Sequence, residues 1–383
     1  MKLDPYKHEL RYFNWKSKIG NKLPEISDSS SKLILNYIFD MEKGLNVSSV
    51  NKKGSRGFPR LNNLRQRLIF LCKKFQEIYD LDDISKITEE QLFSFFNSMR
   101  NGEIKTHDGK TYRSVADYIK VFKSFWHWYQ KVNKKNGNGI IDITEDLDTS
   151  SEKPKWVYLD EDQVKKLCNK AKPEYRVFIM FLFDTGMRAP SELINIKVSD
   201  FLDDYKELFI RDEISKTFGR RIKLLISSEL VRDFVKENNL EQDDYLFKIS
   251  PSVVNRYLRR LALKVFGEGV SLAGEKYSNL TMYDFGHVSC CYWLPRYKSE
   301  SALKYRFDWK KSDKIHYYSE LLGMKDTIQE EDLLIDVTKT EIEKRLISSE
   351  RDNEVLKERV ASMEGQMKEI LGEVRNITNR LDR

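Results

Sequence analysis

Between Asp146 and Trp156 the sequence DLDTSSEKPKW is polar, holds Pro154 and has no apolar period, so no single packed core runs through it. At 383 residues the chain exceeds the roughly 100 to 200 residues that one ordinary core organises. The break is therefore predicted to be a linker over residues 149–156, with a helical domain over 29–148 before it and a second domain over 157–327 after it. Residues 1–28 are left as an N-terminal extension, and a third pattern occupies 338–383.

Before the linker the period is helical, through SKLILNYIFDMEKG, RLNNLRQRLIFLCKKFQEIY, TEEQLFSFFNSMR and YRSVADYIKVFKSFWHWYQKV. In the last of these Val115, Ile119, Phe122, Trp126 and Tyr129 recur at steps of three and four, which puts them on one face and predicts a core role for its aromatics. Thr88, followed three residues later by Gln91, has the form of a capping box. After the linker, Asp160 is placed to cap DEDQVKKLCNKA, and PEYRVFIMFLFDTG and PSELINIKV continue the helical pattern. Two short strand-like runs, ELFI and RIKLLI, flank the turn SKTFGR, and SELVRDFVKENN and VVNRYLRRLALKVFG are helical again. The predicted class is mainly α with a small antiparallel β-hairpin or sheet.

From Ile342 the residues Leu346, Ser349, Asn353, Leu356, Val360, Met363, Met367 and onward to Leu381 follow at alternating steps of four and three. That is a heptad seam, and Asn353 falls where a buried polar residue sets the register of a parallel dimer. Such a coiled coil either joins two copies or folds back on its own domain. The net charge of +7 says less than the distribution of charge along the chain. Between Asn51 and Gln76 stand Lys52, Lys53, Arg56, Arg60, Arg65, Arg67, Lys73 and Lys74 with no acid among them, a composition suited to phosphate contacts or to a solvated helix face. No run approaches the 18 apolar residues of a membrane span, and the first residues lack the apolar stretch of a signal peptide. A cytoplasmic, DNA-associated protein is expected. Cys72, Cys168, Cys290 and Cys291 have neither zinc-site spacing nor disulfide density, so reduced thiols and no metal or cofactor are expected.

Transfer at a phosphodiester needs cations on two non-bridging oxygens, an acid for the leaving oxygen and a nucleophile in line. Arginine suits the first task because its planar fork binds phosphate bidentately and keeps its proton. In DTGMRAPSELINIKVSDF, Arg188 precedes a helix predicted to open at Pro190, where backbone N–H groups favour an anion. An ion pair with Glu192 is an equal reading of that segment. Lys216, in the turn SKTFGR, reads by itself as a solvated lysine.

Thr185, Gly186, Met187, Arg188, Ser191, Glu192, Leu193 and Asp200 resemble the first conserved box of the tyrosine recombinases, the family that includes phage integrases. The stretch LTMYDFGHVSCCYWLPRYKSESALKYRFDWKKSDKIHYYSELLGMKD is similar to that family's second box and tyrosine segment, in the form seen in archaeal members. The resemblance runs from about Lys32 to Asp326. It implies a helical core-binding domain followed by a recombinase catalytic domain, acting on double-stranded DNA without ATP or metal. It further implies that Arg188 clamps the scissile phosphate, that Lys216 is the general acid, and that Tyr318 is the nucleophile forming a 3′-phosphotyrosyl bond, with Tyr317 the near alternative. Trp309 takes a position held by histidine or tryptophan in the family and Tyr283 one held by histidine, and His287 follows close after Tyr283.

The chain departs from the pattern at one place. Where the family has a second catalytic arginine, this sequence has Gly286. Removing one oxyanion donor costs about 3 to 4 kcal/mol of transition-state stabilisation, so a missing charged clamp predicts slow or absent cleavage unless Arg296, Arg306 or His287 replaces it. Three readings follow: a recombinase that cleaves and rejoins DNA, a DNA-binding architectural protein that keeps the fold without cleavage, and a coiled-coil interaction protein for which DNA is incidental.

Overall fold

The computed structural model describes residues 2–20, 22–47, 54–150, 154–297 and 299–322, together with Leu356, Lys357, Val360, Met363 and Met367. Lys52, Lys53 and most of the heptad seam lie outside the described residues. Residues through Leu322 form one compact unit and 323–383 a second.

Two hydrophobic cores lie on either side of the linker. The first is built by α1 (His8–Lys18), α2 (Asp28–Lys43), α3 (Phe58–Tyr79), α4 (Glu89–Asn101) and α5 (Val115–Lys135). Val115, Ile119, Phe122 and Trp126 of α5 are buried as their spacing predicts, and Phe122 meets Phe75 of α3 edge-on with ring centroids 5.9 Å apart. The capping box at Thr88 and Gln91 is present in both directions and starts α4. Residues 1–28 are not a mere extension. Tyr12 on α1 is fully buried in the first core with Leu23 and Ile26, because its ring packs on Phe58 and its hydroxyl donates to Glu42 at 3.0 Å.

The second core starts with Trp156 and Val157. Asp160 and Gln163 cap one another to open α6 (Glu161–Lys170). The apolar α7 (Pro173–Thr185) is buried over most of its length and packs against α6. The strands β1 (Phe201–Leu202), β2 (Glu207–Ile210) and β3 (Arg220–Lys223) form an antiparallel sheet in that order, with Leu208 opposite Ile222. Leu208, Ile210 and Ile222 turn into the core. Then follow α8 (Ser228–Glu237), α9 (Pro251–Phe266), α10 (Asp284–Trp293), α11 (Glu300–Arg306) and α12 (Asp313–Leu321). Helix α10 packs on α7 and α12 on α10. No helix among the described residues is long and apolar enough to cross a membrane.

The helix predicted to open at Pro190 does not form. Residues 189–192 are turns, followed by single 3-10 turns at Leu193–Asn195 and Val198–Asp200. Beyond Asn195 the backbone pairs with distant chain instead: Leu246 N–H donates to Ile196 O at 2.8 Å and Val198 N–H to Asp244 O at 3.0 Å. Those bonds take the groups a helix would have used.

Residues 2–6 lie against the second core. Leu3 N–H donates to Asn195 Oδ1 at 2.6 Å, Asn195 Nδ2 donates back to Leu3 O at 3.0 Å, and Lys2 Nζ reaches Ile214 O at 3.1 Å. An ion pair between Arg113 and Glu275 at 3.5 Å also crosses between the two domains.

Candidate active site

A cavity of about 350 Å³ is lined by Arg188, Lys216, Tyr283, His287, Trp309 and Tyr318, with Gly286 in the same wall. The loop after α7, the β2–β3 turn, the first turn of α10 and the segment that leads into α12 each contribute. Gly186 makes the approach possible. It caps α7 with φ +58°, and a Cβ there would come within 2.2 Å of the Phe307 ring and 2.7 Å of Ser289 Oγ, so only glycine fits the turn that delivers Arg188.

Arg188 is held by Asp308. Its Nη2 donates to Asp308 O at 3.2 Å, and Nη1 lies 3.1 Å from Asp308 Oδ2. The second approach is an ion pair without hydrogen-bond alignment, and it leaves Nη1 buried without a hydrogen-bond acceptor. Glu192, the surface partner considered for Arg188, is instead wholly buried, accepts the Arg188 backbone N–H at 3.0 Å and pairs with the equally buried Arg220 at 2.9 Å. Lys216 is exposed at the cavity and makes no side-chain hydrogen bond or ion pair to a described residue.

Tyr318 is only 2% exposed, yet it belongs to the cavity wall. Its ring stacks on Trp309 at 5.7 Å and 9°, and Trp156 meets it edge-on at 6.2 Å. The hydroxyl lies 2.5 Å from His287 Nδ1, and His287 stacks on Trp156 at 4.8 Å. Burial among these rings, with smaller contributions from Cys290, Cys291, Tyr283 and Tyr317, raises the Tyr318 pKa far above the ordinary phenol value. The phenol is therefore protonated at neutral pH, and attack needs a proton acceptor. Tyr317 is placed differently: its hydroxyl accepts from Trp156 Nε1 at 2.7 Å and donates to Pro154 O at 3.1 Å.

Of the three residues considered as substitutes for the second arginine, His287 alone lines the cavity. Arg306 is buried elsewhere against Asp184 and stacks on Trp293 at 4.3 Å. Arg296 pairs with Glu161 at 3.3 Å and lies over Tyr292.

The basic stretch before Gln76 is mostly carried by α3, where Arg60 is exposed. Several other cations meet acids: Arg67 pairs with Asp117 at 3.0 Å and Lys73 with Glu25, both brought from elsewhere in the chain, and Lys74 with Glu77 one turn along α3 at 2.6 Å. Arg65 is half-buried over Trp15 and bonds Asn62, and Arg56 N–H donates to Met41 O. A second basic face escaped the sequence reading. Arg256, Arg259, Arg260 and Lys264 are exposed on α9, opposite the buried Val254, Leu258 and Leu261, and among the described residues none of the four has an ion-pair partner. Their spacing in VVNRYLRRLALKVF was the available signal. Asp308 and Trp156, both overlooked, stand next to assigned segments, whereas Tyr6, which also lines the cavity, has no sequence pattern to betray it. No group of three His, Cys, Asp or Glu among the described residues is arranged to hold a metal.

Residues 157–322 match the model of the phage integrase family. No curated protein sequence matches the chain. Among solved structures, it resembles a lambda integrase dimer bound to a core site, with 16% identity, 85% of each chain covered and a TM-score of 0.56. The XerH site-specific recombinase on a palindromic difH substrate, captured after cleavage, gives 14% identity over 79% of this chain and 96% of that one, with a TM-score of 0.55. The Tn1549 transposon integrase with circular intermediate DNA gives 13% identity over 76% and 99%, with a TM-score of 0.54. At these identities the likeness is one of fold.

Proposed function

We propose, because residues 157–322 match the model of the phage integrase family, that the chain is a site-specific tyrosine recombinase that binds duplex DNA and cleaves and rejoins its strands through Tyr318. The observation that carries this reading is the single cavity lined by Arg188, Lys216, His287, Trp309 and Tyr318, with the phenol already on an imidazole nitrogen. That the resembling recombinases and integrases were captured on DNA supports DNA as the substrate.

In this mechanism Arg188 engages a non-bridging oxygen of the scissile phosphate through the exposed part of its side chain, which is 29% exposed at the cavity. His287, in the tautomer with its proton on Nε2, takes the phenolic proton at Nδ1. The Tyr318 oxygen then attacks phosphorus, forming a Tyr–O–P bond as the bond to the 5′ oxygen breaks, and Lys216 supplies the proton that the departing oxygen needs. Conserving the phosphoester in the phosphotyrosyl bond lets the reverse steps reseal a strand. Trp309 holds the Tyr318 ring by stacking, and Tyr283, 63% exposed at the rim, is a hydrogen-bond donor to phosphate. The α9 cations and exposed Arg60 supply sequence-independent backbone contacts.

Recombination requires paired subunits, and the seam supplies the pairing. Leu356, Val360, Met363 and Met367 are helical and between 54% and 62% exposed in the isolated chain, as residues awaiting a partner helix would be.

A suicide DNA substrate, nicked so that the cleaved strand cannot be resealed, tests the reading. The full chain should form a covalent adduct that Tyr318→Phe abolishes and Tyr317→Phe retains. A second reading, DNA binding without cleavage, is favoured by Gly286 and by the carboxylate of Asp308 beside the remaining arginine. Salt-sensitive binding with no adduct would select it.

A further inference from the structure

We propose that Asp308 is a positioning residue that holds the Arg188 clamp and the Lys216 turn in one frame. The inference rests on the strand-cleavage reading above and extends it to a residue outside the set of groups that touch the phosphate. Asp308 has φ +58°, a region that side-chain-bearing residues seldom occupy and that Asp tolerates better than most. Its side chain is wholly buried, and a buried carboxylate needs its lone pairs and charge satisfied.

Two elements provide what it needs. From the loop after α7, the Arg188 guanidinium contacts both its carbonyl and its carboxylate, at 3.2 and 3.1 Å. From the β2–β3 turn, Phe218 N–H donates to Oδ1 at 3.1 Å and Ser215 Oγ to Oδ2 at 3.4 Å. Ser215 and Phe218 bracket Lys216, so one carboxylate fixes the turn that carries the acid and the guanidinium that carries the clamp. The next residue, Trp309, stacks on Tyr318. Two consecutive residues therefore touch the supports of all three reacting groups.

The arrangement matters more because position 286 carries no cation. A phosphate held by two arginines is oriented by both, whereas here the direction of one guanidinium decides the geometry. Asp308 lowers the net positive charge of the cavity but fixes that direction before substrate arrives, which is the condition for a preorganised site.

The test compares the full chain with Asp308→Asn, Arg188→Lys and the double variant on the nicked suicide substrate. We expect Asp308→Asn to slow single-turnover adduct formation about ten- to a hundredfold, the scale of a misplaced reacting group. The DNA dissociation constant should move less than about threefold, because most contacts to the backbone lie elsewhere. The double variant should be no more than about threefold slower than the slower single variant, since both substitutions act through one guanidinium. An unchanged rate in Asp308→Asn, or losses that multiply, would overturn the proposal.

If the full chain forms no adduct, the cleavage reading fails, and the proposal is then decided by urea unfolding of Arg188→Ala, Asp308→Asn and their combination. Removing only the arginine strands a buried carboxylate. Non-additivity of about tenfold or more in the unfolding constant, or a double variant that folds where Arg188→Ala does not, upholds the coupling. A smaller non-additivity overturns it.

Discussion

A Cβ built at Gly286 would lie 3.8 Å from Gly186 O and 4.0 Å from Met187 O, both ordinary contact distances, and the position lies in the first turn of α10 with unstrained backbone. Gly286→Arg should therefore fold, and it would place a second guanidinium in the cavity wall. If the missing cation limits cleavage, single-turnover adduct formation rises by at least about tenfold, since one well-placed donor is worth a hundredfold or more. No increase, in a variant that melts like the parent, would mean that the missing cation does not limit cleavage. The two tyrosines can also be separated. Tyr317→Phe loses hydrogen bonds to Trp156 and Pro154 and should lower stability by about 1 kcal/mol, measured by urea unfolding. Arg188, Lys216, His287, Trp309 and Tyr318 were legible because the match to the recombinase boxes names them. Asp308 was not, because its importance lies in contacts to Arg188, Ser215 and Phe218, 90 or more positions away.

Helices α4 and α6 start where their capping residues indicate, Thr88 with Gln91 and Asp160 with Gln163, because a cap is a local bond readable within four residues. The segment after Pro190 misleads for the opposite reason. Its helical pattern is overridden by pairing with residues 242–246, and nothing local announces that competition. The same distance effect separates the two basic helices. The acids that meet Lys73 and Arg67 come from positions 48 and 50 residues away, so α3 looked more available than it is, while the α9 cations have no such partners among the described residues. Replacing Arg256, Arg259 and Arg260 by Gln should flatten the dependence of log K on log salt by up to about 0.9 for each phosphate no longer neutralised, in fluorescence-anisotropy titrations over a salt series. Replacing Lys73 and Lys74 should change the slope less. In the seam, Leu356→Glu with Val360→Glu puts charge on an apolar face. Sedimentation should show a lower association state than the parent, and an unchanged state would argue that the seam does not join copies.

For the unit through Leu322, alkaline pH is the expected weak point. Burial raises the Tyr37 phenol to about 12 in the first core and raises Tyr318 further in the second. A raised native pKa means that the folded form keeps protons that the unfolded chain has lost. The resulting stability is complete below the unfolded phenol value near 10 and falls as pH climbs above it, by about 1.4 kcal/mol per pH unit for each such group. Urea midpoints measured between pH 8 and 11 should be flat to about pH 10 and then decline, less steeply in Tyr318→Phe.

Residues 2–6 add a matter of timing. Leu3 finds its partner Asn195 after 192 intervening steps of chain, and at translation rates of about 5 to 20 residues per second the acceptor leaves the ribosome roughly ten to forty seconds after the donor. Residues 2–6 thus reach their seat only after a segment 192 positions further along has been made. Until then the mouth of the cavity that Tyr6 helps to line stays unfinished in the nascent chain.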